Sequence, residues 1–168
     1  YLRTCVDVAH AIGARTVGGP LYGNPLVFAG RAPHPVDEAL RQHRVDWCVQ
    51  GLQEAAPHAQ AAGVTLGVEP LNRFETDILN TTRQGVALMK LVNHASIGLV
   101  LDTFHMNMED DGIADAIHAA AGHIAHFQAN ENHRGYLGTG HIDWTAVVRA
   151  PADVGDAGAL SPEPVQRP

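Results

Sequence analysis

The chain of 168 residues is 45% hydrophobic and 17% charged, a composition typical of a globular domain and not of a disordered chain. Its formal net charge of −7, without any run of Lys or Arg, argues against nucleic acid as a partner because an acidic surface repels phosphate. No apolar run approaches the length of a membrane span, and Cys5 and Cys48 fit no metal or redox spacing. We therefore expect one domain over residues 1–168, located in the cytoplasm, with no membrane partner.

Predicted helices and strands alternate along the chain. The helical spacing of apolar residues predicts five helices, at 1–14, 36–63, 81–94, 112–122 and 143–155. Short apolar runs predict five strands, near 16–21, 64–69, 97–102, 123–129 and 158–164. We expect Pro57 to kink or locally break the second helix. The proline-rich segment 24–35 is long enough to be a functional loop.

The strands are almost continuously apolar, which indicates a parallel sheet covered by helices. Five strands would suit an open doubly wound sheet, but the glycine-rich phosphate loop that usually follows a strand in that fold is absent. A (β/α)₈ barrel has eight strands. If the fold is a barrel, the chain corresponds to strands 4 to 8 and lacks the first three strands and the last helix.

Three of the predicted strands end in an acidic residue: Glu69, Asp102 and Glu163. In a barrel the carboxyl ends of all strands meet at one rim, so these acids would converge there. Several buried carboxylates need a cation to balance their charge, and oxygen ligands favour Mn²⁺, Mg²⁺ or Co²⁺ over a thiolate-type zinc site. The alternative is that each acid caps a following helix, as Asp commonly does after a strand.

Three motifs carry a family resemblance. "GVEPLNRFETDILNT" at 67–81, "LDTFHMN" at 101–107 and "HFQANENHRGYLGTGHIDW" at 126–144 together resemble ketose 3-epimerases of the D-tagatose and D-psicose 3-epimerase type. These enzymes belong to the xylose-isomerase-like barrels, so the resemblance implies an α/β fold that is a partial TIM barrel. It also implies a ketose substrate and a divalent metal, usually Mn²⁺.

The resemblance assigns roles to individual residues. It implies that the proton is moved by two glutamates, Glu69 and Glu163. It implies that the metal is held by four side chains, those of Glu69, Asp102, Gln128 and Glu163. It implies that the sugar is bound by Glu75, His105 and Arg134. Gln128 is a departure, because the family has a histidine there. An amide oxygen is a weaker ligand than imidazole, so we expect weakened metal affinity.

The implied reaction is epimerisation of a ketose at C3 through an enediolate, with one glutamate taking a proton and the other returning one to the opposite face. Two alternatives stay open: a truncated, non-catalytic remnant of such an enzyme, and another sugar isomerase of the same superfamily, similar to hydroxypyruvate isomerase. An apurinic endonuclease of the superfamily is disfavoured by the negative charge. A homo-oligomer is possible.

Overall fold

A computed structural model describes residues 1–22, 37–155 and 158–165, and in it a five-stranded sheet is covered by helices. The predicted loop at 24–35 lies outside the described residues. The elements in chain order are α1 Leu2–Ala11, β1 Thr16–Gly19, α2 Glu38–Ala62, β2 Thr65–Val68, α3 Thr82–Val92, β3 Ile97–Asp102, α4 Thr103–Glu109, α5 Ile113–Ala119, β4 Ile124–Ala129, α6 Trp144–Asp153 and β5 Leu160–Pro162.

All neighbouring strands are parallel, and their order in the sheet is the order in the chain, β1-β2-β3-β4-β5. A parallel sheet in sequential order with a helix between successive strands is the arrangement of a (β/α)₈ barrel, and a doubly wound sheet would reverse its order part-way. The sheet curls as half of such a barrel does, which confirms the predicted partial TIM barrel.

The two faces of the sheet have different partners. Leu66, Leu99 and Leu101 are fully buried in the hydrophobic core that the sheet shares with the helices. Side chains alternate along a strand, so Val100 and Asp102 lie on the opposite, concave face. Val100 packs there against Gly67 of β2, where a Cβ would lie only 2.6 Å from Val100 Cγ2. The concave face therefore leads directly to the rim that bears the acids.

Helix α2 corrects one part of a prediction, because Pro57 does not break it. The helix is continuous from Glu38 to Ala62; the Asp37 side chain accepts from the amides of Ala39 and Leu40 at its start, and Gly63, with φ 67°, ends it. Pro57 is exposed, so the carbonyl that loses its amide partner there can bond to water. Buried alanines on both sides of Pro57 anchor the helix to the core.

Helix α4 was not predicted. The apolar pattern of β3 ends at Asp102 as expected, but a seven-residue helix, Thr103–Glu109, begins at once instead of a loop. The Asp102 side chain accepts a hydrogen bond from the Phe104 amide at 2.8 Å and so caps this helix. Such a short helix has little periodicity for a sequence pattern to reveal.

Within the described ranges, no helix is both long and apolar enough to cross a membrane.

Candidate metal and sugar site

The acids at the ends of β2 and β3 converge, as the sequence predicts for a barrel rim. Glu69 directly follows β2 and Asp102 is the last residue of β3. Glu69, Asp102 and His105 each present a potential ligand atom, and these three atoms lie within 4.8 Å of one another. All three residues are buried. Thirty-three positions of sequence thus separate two carboxylates that share one small volume.

Asp102 serves two purposes at once. Its Oδ1 caps α4, while its Oδ2 lies 3.2 Å from Arg134 Nη2 and 3.7 Å from His105 Nε2. Asp102 therefore caps a helix through Oδ1, as the alternative interpretation expects, and faces the other charged groups of the site through Oδ2. The cap fixes the side chain's rotamer, and so holds Oδ2 towards the other charged groups.

Arg134 brings Glu163 into the site. The guanidinium donates to Glu163 Oε2 at 2.8 Å and to Asp102 Oδ2 at 3.2 Å, and its Cζ lies 4.3 Å from the centre of the Phe104 ring. Glu163 follows the exposed strand β5, and its side chain is 55% exposed. Arg134 is thus the protein's own cation among the strand-end acids.

The site carries more negative charge than Arg134 balances. Burial raises the pKa of Glu69 to about 8, and the charges of Asp102 and Glu163 add to the rise. Burial likewise raises the pKa of Asp102. Burial, with Arg134 nearby, lowers the pKa of His105 to about 3 and keeps its imidazole neutral. A further cation between the carboxylates would be strongly attracted.

The side chain of Gln128 shows whether the site suits a metal ion. It is the register partner of Asp102 on the neighbouring strand β4, so the two side chains emerge side by side. Gln128 Oε1 is buried and, among the described residues, accepts no hydrogen bond. A buried acceptor without a donor is costly unless a cation or water meets it. The carboxylates and this amide oxygen therefore fit an oxygen-ligated divalent cation.

Glu75 and His105 are joined by a residue that the sequence did not single out. The buried side chain of Asn72 donates through Nδ2 to Glu75 Oε1 at 2.8 Å, and Nδ2 lies 2.9 Å from His105 Nδ1. No charge or spacing distinguishes Asn72 from other loop asparagines. Only its position between two candidate residues in the motif "EPLNRFE" offered a signal.

Glu131 is the second residue that sequence reasoning left without a role. It is fully buried, and its carboxylate accepts from Trp144 Nε1 at 2.5 Å and from the Gly138 amide at 2.8 Å. Burial acts to raise its pKa, but these bonds and others from the amides of Gly140 and Asn132 lower it overall. The loop 132–141 is therefore wrapped around a buried charge, and this loop presents Arg134.

Asn130 links the last strand to the site. Its Oδ1 accepts from the Glu163 amide at 2.9 Å, and its backbone amide and carbonyl both bond to the Thr103 hydroxyl. Asn130 thus ties β5 to the end of β4 and to the start of α4, and its sequence signal is its position directly after β4.

Comparison with known proteins identifies the family. Residues 1–168 match the family described as xylose isomerase-like TIM barrel. The chain belongs to this family. An L-ribulose 3-epimerase from Mesorhizobium japonicum is 48% identical over 160 residues, which cover 95% of this chain and 51% of that protein. A D-psicose 3-epimerase from Agrobacterium fabrum is 37% identical over 165 residues, covering 98% and 54% of the two chains.

Solved structures agree with this family membership. A D-psicose 3-epimerase with D-tagatose from Clostridium cellulolyticum H10 superposes with a TM-score of 0.89 at 32% identity. The match covers 99% of this chain and 55% of that one. The chain spans about half the length of the curated relatives it matches.

Proposed function

We propose that this chain provides the metal and proton-transfer site of a ketose 3-epimerase. The observation that carries the proposal is the meeting of Glu69 and Asp102 at one rim, with Gln128 as the register partner of Asp102; Gln128 Oε1 is buried and accepts no hydrogen bond from the residues that the structure describes. The relatives that bear the names L-ribulose and D-psicose 3-epimerase supply the reaction class.

The residues that would hold a divalent cation, Mn²⁺ or else Mg²⁺ or Co²⁺, are Glu69, Asp102, Gln128 and Glu163. When bound, such an ion polarises the ketose carbonyl and stabilises negative charge on the neighbouring oxygens. The charge balance of the site supports this assignment, because carboxylates outnumber the single guanidinium of Arg134.

Glu69 and Glu163 are the proposed proton carriers. They directly follow β2 and β5, which two other strands separate in the sheet, and this supports an approach to a bound sugar from different sides. One carboxylate takes the proton from C3, the electron pair moves into an enediolate, and the other carboxylate returns a proton to the opposite face. The configuration at C3 is inverted, and no other atom is gained or lost.

Glu75, His105 and Arg134 are the proposed sugar-binding residues. The imidazole of His105 is neutral at ordinary pH and can donate to a sugar oxygen without adding charge. Arg134 offers several N–H groups for an enediolate oxygen. Glu75, half-buried beside Asn72, would accept from a hydroxyl group.

The test is proton exchange at C3. The protein is incubated with Mn²⁺ and L-ribulose, D-psicose, D-tagatose or D-fructose in D₂O, and C3 epimers and deuterium at C3 are followed by NMR. We expect deuterium at C3 of at least one sugar, and its loss in Glu69→Gln. Glu54→Gln, an exposed glutamate of α2, is the control that keeps wild-type exchange. Absence of both epimer and exchange with every sugar would reject the proposal for this chain.

A further inference from the structure

The ring of His105 has hydrogen-bond donors at both nitrogens. The backbone amide of Asn72 donates to Nδ1 at 3.0 Å, and Asn72 Nδ2 lies 2.9 Å from the same atom. On the other side, Arg134 Nη2 lies 3.1 Å from Nε2. A neutral imidazole has one N–H and one acceptor nitrogen, so it can satisfy only one side.

The orientation of the Asn72 amide group is fixed by its other contacts. Its Oδ1 accepts from the Phe74 amide at 3.0 Å, and its Nδ2 donates to the Glu75 carboxylate at 2.8 Å. If the amide oxygen and nitrogen were exchanged, the oxygen would face the Glu75 carboxylate and the NH₂ group would face the N–H of Phe74. The group that faces His105 is therefore the NH₂ group, a donor.

We infer that Asn72 is a positioning residue that keeps Nδ1 of His105 an acceptor, so that the ring proton lies on Nε2. Two donors at Nδ1 outweigh one at Nε2, and one of these two is a backbone amide that cannot turn away. Arg134, by contrast, ends a long side chain that can shift. The inference deepens the proposed function and rests on it in one respect, because the proton on Nε2 serves sugar binding only if this site binds a sugar.

The consequence concerns what His105 does in the site. An Nε2 that carries a proton has no free lone pair, so His105 does not ligate a cation although it lies beside Glu69 and Asp102. Its N–H points into the volume between the two carboxylates, 3.8 Å from Glu69 Oε1 and 3.7 Å from Asp102 Oδ2. That N–H is a donor for a ligand oxygen, and the cation ligands that remain are all oxygen atoms.

Nitrogen NMR of the protein labelled with ¹⁵N-histidine tests the inference without sugar or metal. The chemical shift of a ring nitrogen separates its protonated from its unprotonated form, and His105→Gln identifies the His105 signals among those of the 11 histidines. In the wild type we expect an unprotonated Nδ1 and a protonated Nε2. The reverse pattern would overturn the inference at once, whatever the variants do.

Asn72→Asp replaces the side-chain donor by an acceptor. The backbone amide of residue 72 still donates to Nδ1, so we expect the Nδ1 signal of His105 to shift part of the way towards the protonated position, and an unchanged signal in this folded variant would contradict the role of the Asn72 side chain. Asn107→Asp is the matched control, because it adds the same charge on α4, where Asn107 contacts His141; it should leave the His105 signals in place. These spectra need no turnover, so they fail or succeed independently of the exchange assay.

Discussion

Replacing Glu69 by glutamine should stabilise the metal-free protein, and more so as the pH rises. Burial and the neighbouring carboxylates raise the pKa of Glu69 from 4.5 to about 8 in the folded state. Between these two values the folded protein keeps a proton that the unfolded chain has lost. The free energy of unfolding therefore falls as pH rises through this window. The glutamine side chain of the variant would remain neutral at every pH and would escape this cost.

The magnitude follows from the same pKa values. A rise from 4.5 to about 8, at about 1.4 kcal/mol for each pKa unit, gives at most about 5 kcal/mol of destabilisation above pH 8. Relaxation of the site and entry of water reduce this figure, so we expect the variant to gain about 2 to 4 kcal/mol over the wild type between pH 5 and pH 9.

Urea unfolding at pH 5, 7 and 9 in the presence of EDTA measures this difference. Glu54→Gln removes an exposed glutamate and should show no such pH-dependent gain. Saturating Mn²⁺ should stabilise the wild type at pH 9 far more than Glu69→Gln, because only the wild type offers the ion this carboxylate. A Glu69→Gln variant whose stability parallels the wild type at all three pH values would refute the reasoning about the crowded carboxylates.

Two further substitutions test the site and the loop beside it. Gln128→His should raise Mn²⁺ affinity by about tenfold or more, because imidazole is a stronger ligand than an amide oxygen; calorimetric titration measures this, and equal affinities would contradict the ligand assignment. Gly140→Ala should cost about 1 to 3 kcal/mol, because its Cβ would collide with Asn132 Oδ1 and with Glu131 Oε2. Gly51→Ala, at an open helical position in α2, should instead raise the free energy of unfolding by about 0.5 to 1 kcal/mol. Urea unfolding measures both variants, and a Gly140→Ala protein more stable than Gly51→Ala would contradict this reasoning.

The fold followed from the sequence to a large extent because its signals are local. Strands β2 and β3 are short apolar runs, and Asp102 ends β3 where the pattern predicts. The last strand is shorter than expected, Leu160–Pro162, and the prolines around Glu163 leave few amides to extend it. Local signals also misled: Pro57 predicted a kink or a local break, whereas α2 continues unbroken from Glu38 to Ala62.

The site was only partly readable. Acids at strand ends pointed to Glu69 and Asp102, since parallel strands bring such residues to one rim. Asn72 gave no comparable signal, and Glu131 gave only its place just after β4, because the importance of both lies in hydrogen bonds made after the chain has folded. Glu131 accepts from Trp144, 13 positions away, and Asn72 meets His105 across 33 positions.

The sequence alone determined the alternation of helices and strands, the family and the acids at the rim, since these depend on residue type and neighbouring positions. Tertiary structure alone decided which oxygen of Asp102 caps a helix and which faces Arg134. It also decided which nitrogen of His105 meets Asn72. Such choices depend on distances of about 3 Å between groups that the chain brings together only when the sheet and its helices pack.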